Sequence, residues 1–395
     1  MTSEVLTAPE PTRLVAQARL TLDGVRAMLA LAGIGVTLPA LWACAFAAGG
    51  SHTALPHLFY FPIIVAAVRF GVSGAVATAL CAAVLAGPLL PADVATGTPQ
   101  PVLGWIVRLV IFTCIGVFVA LLAQQGSASL RSAYQDSRLS RALVRALRRG
   151  DVSVHYQPIR RTADGRIVAL EALARWTDPR RGQVAPDVFI PVAERTGAVA
   201  DVDRYVLRRA AEQVAQWTAK HGPVIAAVNV SATWFAEADL FSEVEDVLLR
   251  TGLPAGQLEL EITETALISD VRRATDQIDK LRGIGVHVAI DDFGVGQASL
   301  SYVNDFHVTT VKIDGSFVSK ALVDPRTALL LTGLFSLFGT LGLRVIAEGV
   351  SNEAEYARLR TLGCENVQGY HLGRPAPADI TEGLLQEAGV TPVHH

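Results

Sequence analysis

The chain is short of charge. Only 18% of its 395 residues are Asp, Glu, Lys or Arg, against 51% hydrophobic. The shortage is local: between Ala27 and Val107 the only formally charged side chains are Arg69 and Asp93. That gap excludes a wholly water-exposed first third. Cysteine is scarce too. Cys44, Cys81, Cys114 and Cys364 have no CxxC spacing, which excludes a disulfide framework, and they read as small buried hydrophobes in a reducing compartment. A net charge of −3 lacks the basic excess that a DNA or RNA polymer would require.

What fills the first third is a set of apolar runs. Met28–Ala48, His52–Val68, Phe70–Leu90 and Val102–Ala123 are each long enough to cross a lipid bilayer, the last interrupted by Arg108. Four spans put both ends on one side. Arg13, Arg19 and Arg26 precede the first run, six arginines from Arg131 to Arg149 follow the last, and Arg69 sits between the second and third. The loops Gly49–Ser51 and around Pro91–Pro101 carry no Lys or Arg, so the N-terminus and everything after Ala123 are expected in the cytoplasm. The first run is longer than a signal-peptide core and further spans follow it, which argues against cleavage. Arg108 is read as snorkelling to the outer interface, with lining a cavity as the alternative. From Gln124 to Arg149, Leu130, Tyr134, Leu139, Leu143 and Leu147 recur mostly every four residues, the pattern of an amphipathic helix. Its arginines could meet anionic headgroups. The expected organisation is a tail over 1–26, a membrane region over 27–123, a helical linker over 124–150, a globular domain over 151–385 and a tail over 386–395.

After Gly150 short Val- and Ile-rich runs alternate with helical stretches. Eight strand candidates can be counted: VSVHYQPI, IVALEALARW, VIAAVNVS, LELEIT, VHVAIDD, TTVKID, LRVIAEGV and ENVQGYHL. A short TADGR turn joins the first two as a hairpin. Helices are predicted over Val202–Lys220, Leu240–Thr251, Ser269–Gly283 and Pro325–Leu341. The fold class is therefore α/β, a TIM-like (β/α)8 barrel variant with an antiparallel first strand, preceded by an all-α four-span transmembrane region.

Polar residues punctuate these strands. Glu171, Asn229, Glu261, Asp291, Asp292, Lys312, Glu348 and Gln368 fall mostly near strand C-termini, which in a barrel converge on one mouth. Any one strand-end acid is read equally well as a helix cap, and Glu259, alternating with Glu261, is read that way. Lys312 is read as a charge partner for Asp314 or a nearby carboxylate, a role compatible with chemistry. So many carboxylates on one rim require cations. Oxygen ligands without Cys or His suit Mg²⁺ or Mn²⁺, and two such ions ~4 Å apart would serve phosphoryl displacement.

The motifs YQPI, EALARW, FIPVAERTG, NVS, ELEITE, AIDDFGVG, VKIDGSFV, VIAEGV and VQGYHLGRP occur in that order between Ser153 and Pro377. In this set and order the chain resembles the EAL-domain phosphodiesterases of cyclic di-GMP. The resemblance implies a bacterial inner-membrane enzyme that opens one phosphodiester of cyclic di-GMP to give linear pGpG, with two Mg²⁺ or Mn²⁺ ions and a homodimeric barrel. It implies Glu171, Asn229, Glu261 and Asp291 as ligands of one ion, and Asp291, Asp292 and Glu348 as ligands of the other. Lys312 would hold the attacking water. Gln157, Leu173, Arg175 and Gln368 would contact substrate together with Glu171, Asn229 and Asp292. Glu264 would brace the loop that starts at Asp292.

The chain departs from the family pattern at Val295, Gln297, Ala298 and Ser351, none of them an implied ligand. No GG(D/E)EF-type cyclase motif occurs, so degradation of the messenger is expected rather than synthesis. Two other functions are a cyclic di-GMP receptor signalling through the membrane helices and a protein-binding scaffold. The segment LFYFPIIVAAVRFGVSGAVATAL is similar to the four-helix membrane region of potassium-controlling sensor histidine kinases, which implies an input or dimerisation module.

Overall fold

The computed structural model describes residues 10–268, 270–294 and 306–390, with side chains for all of these except 10–23, 127–131 and 265. The chain forms two compact units, Met1–Tyr134 and Gln135–His395.

In the first unit three helical stretches are long and apolar enough to cross a membrane: Gly24–Ala47, Leu55–Ala86 and Val102–Gly126. By length and composition these are three stretches, against the four runs expected. The second and third runs are one stretch, broken at Gly71, where φ is 67° and ψ is −155°. Only glycine adopts that backbone without strain. The chain doubles back there. A Cβ added to Gly116 would meet Ile63 at 2.9 Å and Ala75 at 3.2 Å, yet on a straight helix those two residues would stand about 18 Å apart. Phe59 and Ile63 of one arm accordingly share a buried cluster with Ala79, Ala82, Ala83 and Ala86 of the other. The alanines let the arms approach closely.

Arg108 reaches toward the end of its helix and is held by hydrogen bonds there. Its Nη1 donates to the carbonyl of Ala86 (2.7 Å) and to Gln100 Oε1 (2.9 Å), while Gln100 Nε2 donates to the carbonyl of Leu90 (2.6 Å). The pair covers carbonyls that the helix end leaves unsatisfied. Cys44, Cys81 and Cys114 are exposed, against the expectation of burial; only Cys364 is buried. A few helices bury the faces they turn to one another, and these three thiols lie on the remaining faces.

The second unit is a closed barrel. Its strands are β1 (Val152–Arg161), β2 (Ile167–Asp178), β3 (Gly182–Val184), β4 (Ile225–Val230), β5 (Leu258–Thr263), β6 (His287–Phe293), β7 (Thr310–Ile313), β8 (Arg344–Ala347) and β9 (Asn366–Gln368). The wall runs β1-β9-β8-β7-β6-β5-β4-β2 and closes by pairing β1 with β2. β1 is antiparallel to both neighbours, and β2 then β4 to β9 are parallel. The eight predicted wall strands are all present. β3 was not predicted; it pairs with the outer extension of β2. The last two strands are shorter than read. After β8 the chain turns at Gly349, whose φ is 68° and whose added Cβ would strike Gly315 Cα at 2.9 Å.

Helices cover the wall, among them Val199–His221, Leu240–Thr251, Val271–Gly283 and Pro325–Thr340. Trp176, Trp217, Trp234, Phe189 and Phe338 are fully buried between the layers, each worth about 2–3 kcal/mol of transfer free energy. The end of the long helix Val102–Arg149 belongs to this unit. Leu143 and Leu147 join its core, Thr196 Oγ1 donates to Ser140 Oγ (2.9 Å) and Arg195 pairs with Asp136 (2.9 Å).

Candidate active site

Strand geometry selects what faces the barrel interior, since alternate residues point to one side. On β5 these are Glu259 and Glu261, on β7 Thr310 and Lys312, on β8 Arg344 and Ile346. The lower layer is closed: fully buried Glu259 pairs with Arg344, and both bond Thr310 Oγ1. Glu259 is thus structural, but as a buried ion pair and not as the helix cap read from the sequence, and its partner Arg344 could not be named from local pattern.

The upper layer is different. Lys312 is 1% exposed. Its Nζ lies 2.7 Å from Glu348 Oε1, 2.8 Å from Glu261 Oε2, 3.2 Å from Asp291 Oδ1 and 4.0 Å from Glu171 Oε2. Glu171 Oε1 accepts from Asn229 Nδ2 (2.8 Å), and Glu171 Oε2 from Gln368 Nε2. Gln157, opposite Glu171 on β1, donates to the carbonyl of Gly373 (3.1 Å) and accepts from Gln368 Nε2 (3.3 Å). Asp314 does not pair with Lys312; it caps the following helix through Ser316 N (2.9 Å).

The adjacent acids Asp291 and Asp292 now have an explanation. On a regular strand they would face opposite sides. Asp292 instead has φ 55°, and the β6–β7 register shifts between Ile290 and Phe293. This left-handed residue and bulge turn both carboxylates to one site. One oxygen each from Asp291, Asp292 and Glu348 lies within 4.8 Å of the other two.

Electrostatics mark the site as unfinished. Burial and the surrounding carboxylates Asp291 and Glu171 push Glu261 well above its ordinary range, against the pull of Lys312. Burial likewise lifts Glu348 to about 7 and raises Asp292. Lys312 is opposed by its own burial, but Asp291, Glu171, Glu261 and Glu348 outweigh it and hold the ammonium charged. Glu171, Glu261, Asp291, Asp292 and Glu348 against one lysine leave a formal surplus of four negative charges. Among the described residues Glu261 Oε1 and Gln368 Oε1 are buried acceptors without a hydrogen-bond partner, as is Glu259 Oε1 in the lower layer. Oxygen donors only, orphaned acceptors and this surplus fit hard divalent cations.

Gln157, Glu171, Asp291, Lys312, Glu348 and Gln368 line a cleft of ≈ 370 Å³. Leu173 and Arg175 follow Glu171 on the same face of β2, both half-buried, with Arg175 Nη1 on the carbonyl of Ala174 (2.8 Å). Glu264 is buried at the start of the helix after β5. The departures Val295, Gln297 and Ala298 lie outside the described residues. Gly349, Ser351, Gly369 and Tyr370 also line the cleft and were missed as site members. Tyr370 is 59% exposed at the mouth, and an exposed aromatic beside Gln368 was the available signal. Ser351 donates from N (2.6 Å) and Oγ (2.9 Å) to Glu355 Oε2, a local contact at the start of the helix that Asn352 caps.

The fold and mouth define a (β/α)8-barrel protein with an acidic, cation-suited site at the C-terminal ends of its strands. The EAL domain pattern matches residues 140–375, and the chain belongs to that family. A signaling protein of Caulobacter vibrioides, named as uncharacterized, is 42% identical over 246 residues, 61% of this chain and 30% of its own length. The Pseudomonas aeruginosa protein NbdA, named a cyclic di-GMP phosphodiesterase, is 38% identical over 255 residues, 64% of this chain and 33% of its own. The chain thus spans about a third of the length of the curated relatives it matches. A solved MucR phosphodiesterase in complex with c-di-GMP superposes with a TM-score of 0.59 at 37% identity, covering 62% of this chain and 99% of that one.

Proposed function

We propose that the chain is a membrane-anchored phosphodiesterase that opens one phosphodiester of cyclic di-GMP to yield linear pGpG. The observation that carries this reading is the set of carboxylates around one buried ammonium, Lys312, with a formal charge surplus that two divalent cations would balance. The named activity of NbdA and the c-di-GMP complex of MucR support the choice of substrate.

Glu171, Asn229, Glu261 and Asp291 would hold one Mg²⁺ or Mn²⁺, and Asp291, Asp292 and Glu348 the other. When bound, such ions polarise a phosphoryl group and make water more acidic. Lys312, fixed by its carboxylates, orients the attacking water and offers it a hydrogen bond. Gln157, Leu173, Arg175 and Gln368 position the dinucleotide, Arg175 by pairing its fork with phosphate oxygens. Glu264 braces the segment after Asp292.

The apolar helices Gly24–Ala47, Leu55–Ala86 and Val102–Gly126 would anchor the chain in a lipid bilayer. The arginines after Gly126 would keep the barrel cytoplasmic. The barrel would pair with a second copy; exposed Val323, Leu329, Leu330 and Leu337 on and beside one helix support this. The test is turnover by the full chain in lipid discs with Mg²⁺ or Mn²⁺, followed by chromatography. pGpG that depends on the metal is expected. Tight binding of cyclic di-GMP without pGpG would refute the enzyme and leave a receptor.

A further inference from the structure

Arginines that the mouth does not use converge on a groove of the barrel unit. Arg138, Arg145 and Arg149 stand at intervals of seven and four on the last turns of the helix ending at Arg149, so they share one stripe. Arg180 and Arg181 face them from the turn between β2 and β3. Ala142 and Ala146 form the floor, leaving ≈ 360 Å³ between the two walls.

Some arginines of this unit are neutralised: Arg195 pairs with Asp136, Arg204 with Glu243, Arg209 with Glu212 and Arg250 with Asp246. Arg145, Arg149, Arg180 and Arg181 pair with no carboxylate among the described residues. Asp178, which lines the same groove, is committed to the turn. Its Oδ1 accepts from the backbone N–H groups of Arg180 (2.9 Å) and Arg181 (3.0 Å). Arg145, Arg149, Arg180 and Arg181 against Asp151 and Asp178 still leave a formal excess of two positive charges. These exposed like charges repel modestly in water, and an anion between them would be attracted by all of them.

We propose that this groove binds the phosphate group of an anionic ligand. Several arginines lining one small volume suit the oxygens of phosphate, which accept paired hydrogen bonds. The volume is that of a small-molecule site rather than a flat patch. The phosphate could come from a phospholipid headgroup, because the stripe continues the helix whose first part is the apolar Val102–Gly126 stretch, or from a soluble polyphosphate. The site does not depend on the phosphodiesterase reading.

The test uses the full chain in neutral micelles with divalent metal removed, so that the acidic mouth repels anions. Inorganic tripolyphosphate is titrated calorimetrically against wild type, Arg180→Glu/Arg181→Glu, Arg180→Lys/Arg181→Lys and the remote control Arg272→Glu/Arg273→Glu. In parallel, hydrogen exchange of 141–150 and 178–182 is compared in phosphatidylcholine discs with and without phosphatidylglycerol. Tripolyphosphate binding weakened about tenfold or more by the glutamate pair, less by the lysine pair and not by the control identifies a soluble source. Protection that appears only with phosphatidylglycerol and vanishes in the glutamate pair identifies a lipid source. Neither binding nor protection, or binding that the glutamate pair leaves unchanged, overturns the proposal.

Discussion

Glu259 and Glu261 face the same barrel interior from the same strand, two residues apart, and both are buried. Glu259 meets one arginine and one threonine, and its layer is balanced. Glu261 meets one lysine that it shares with three further carboxylates, and its layer is not. Burial alone therefore does not mark a functional acid. What separates the two layers is whether the protein supplies its own counter-charge. A buried balanced pair serves the fold, whereas a buried surplus leaves room for a cation that the chain does not encode.

The comparison can be broken from either side. The largest effect is expected at Asp291, which faces both proposed ion positions. Asp291→Asn should cut pGpG formation by about a thousandfold or more, ~4 kcal/mol of transition-state stabilisation, while circular dichroism stays unchanged. Next comes the lower layer. Arg344→Met strands the Glu259 charge in the interior and should cost about 3–5 kcal/mol in stability. Glu259→Gln in the same chain should return much of that loss, and turnover per folded molecule should hardly move. A double-mutant cycle by chemical unfolding checks this.

A third buried acid, Asp203, sharpens the point because it has neither a balanced partner nor a surplus around it. Burial raises its pKa from 3.8 to about 6, against the hydrogen bonds from Ser231. A folded pKa above the unfolded one adds stability below about pH 4 that is lost as pH rises through 6. Relative to Asp203→Asn, wild type should lose up to about 3 kcal/mol across that window, read from unfolding at a series of pH values. The smallest effect is on the unperturbed protein. Saturating Mn²⁺ should stabilise wild type by about 2–3 kcal/mol, seen as a rise in Tm that Asp291→Asn abolishes and Glu259→Gln keeps.

The alternation of Val-rich runs with helices made the barrel legible, and the TADGR turn made the antiparallel hairpin legible, because both are local patterns. The rim acids were legible by their position at strand ends. What escaped depends on register and close approach. Nothing near Glu259 in sequence names Arg344, which arrives from three strands away in the wall. The turn between the second and third runs was legible at residues 69–71, but the backbone angle of Gly71 that makes it was not. β3 was too short to leave a periodic signal, and Asp292 gains its role from a backbone angle that the residue type does not announce.

The most direct test of the account is a count. Equilibrium dialysis of the full chain against Mn²⁺ should find two ions per barrel in wild type and in Glu259→Gln, with at least one lost in Asp291→Asn. Wild type that binds no ion, or an Asp291→Asn chain that still binds two, would contradict the claim that the upper layer's surplus of negative charge is a metal site.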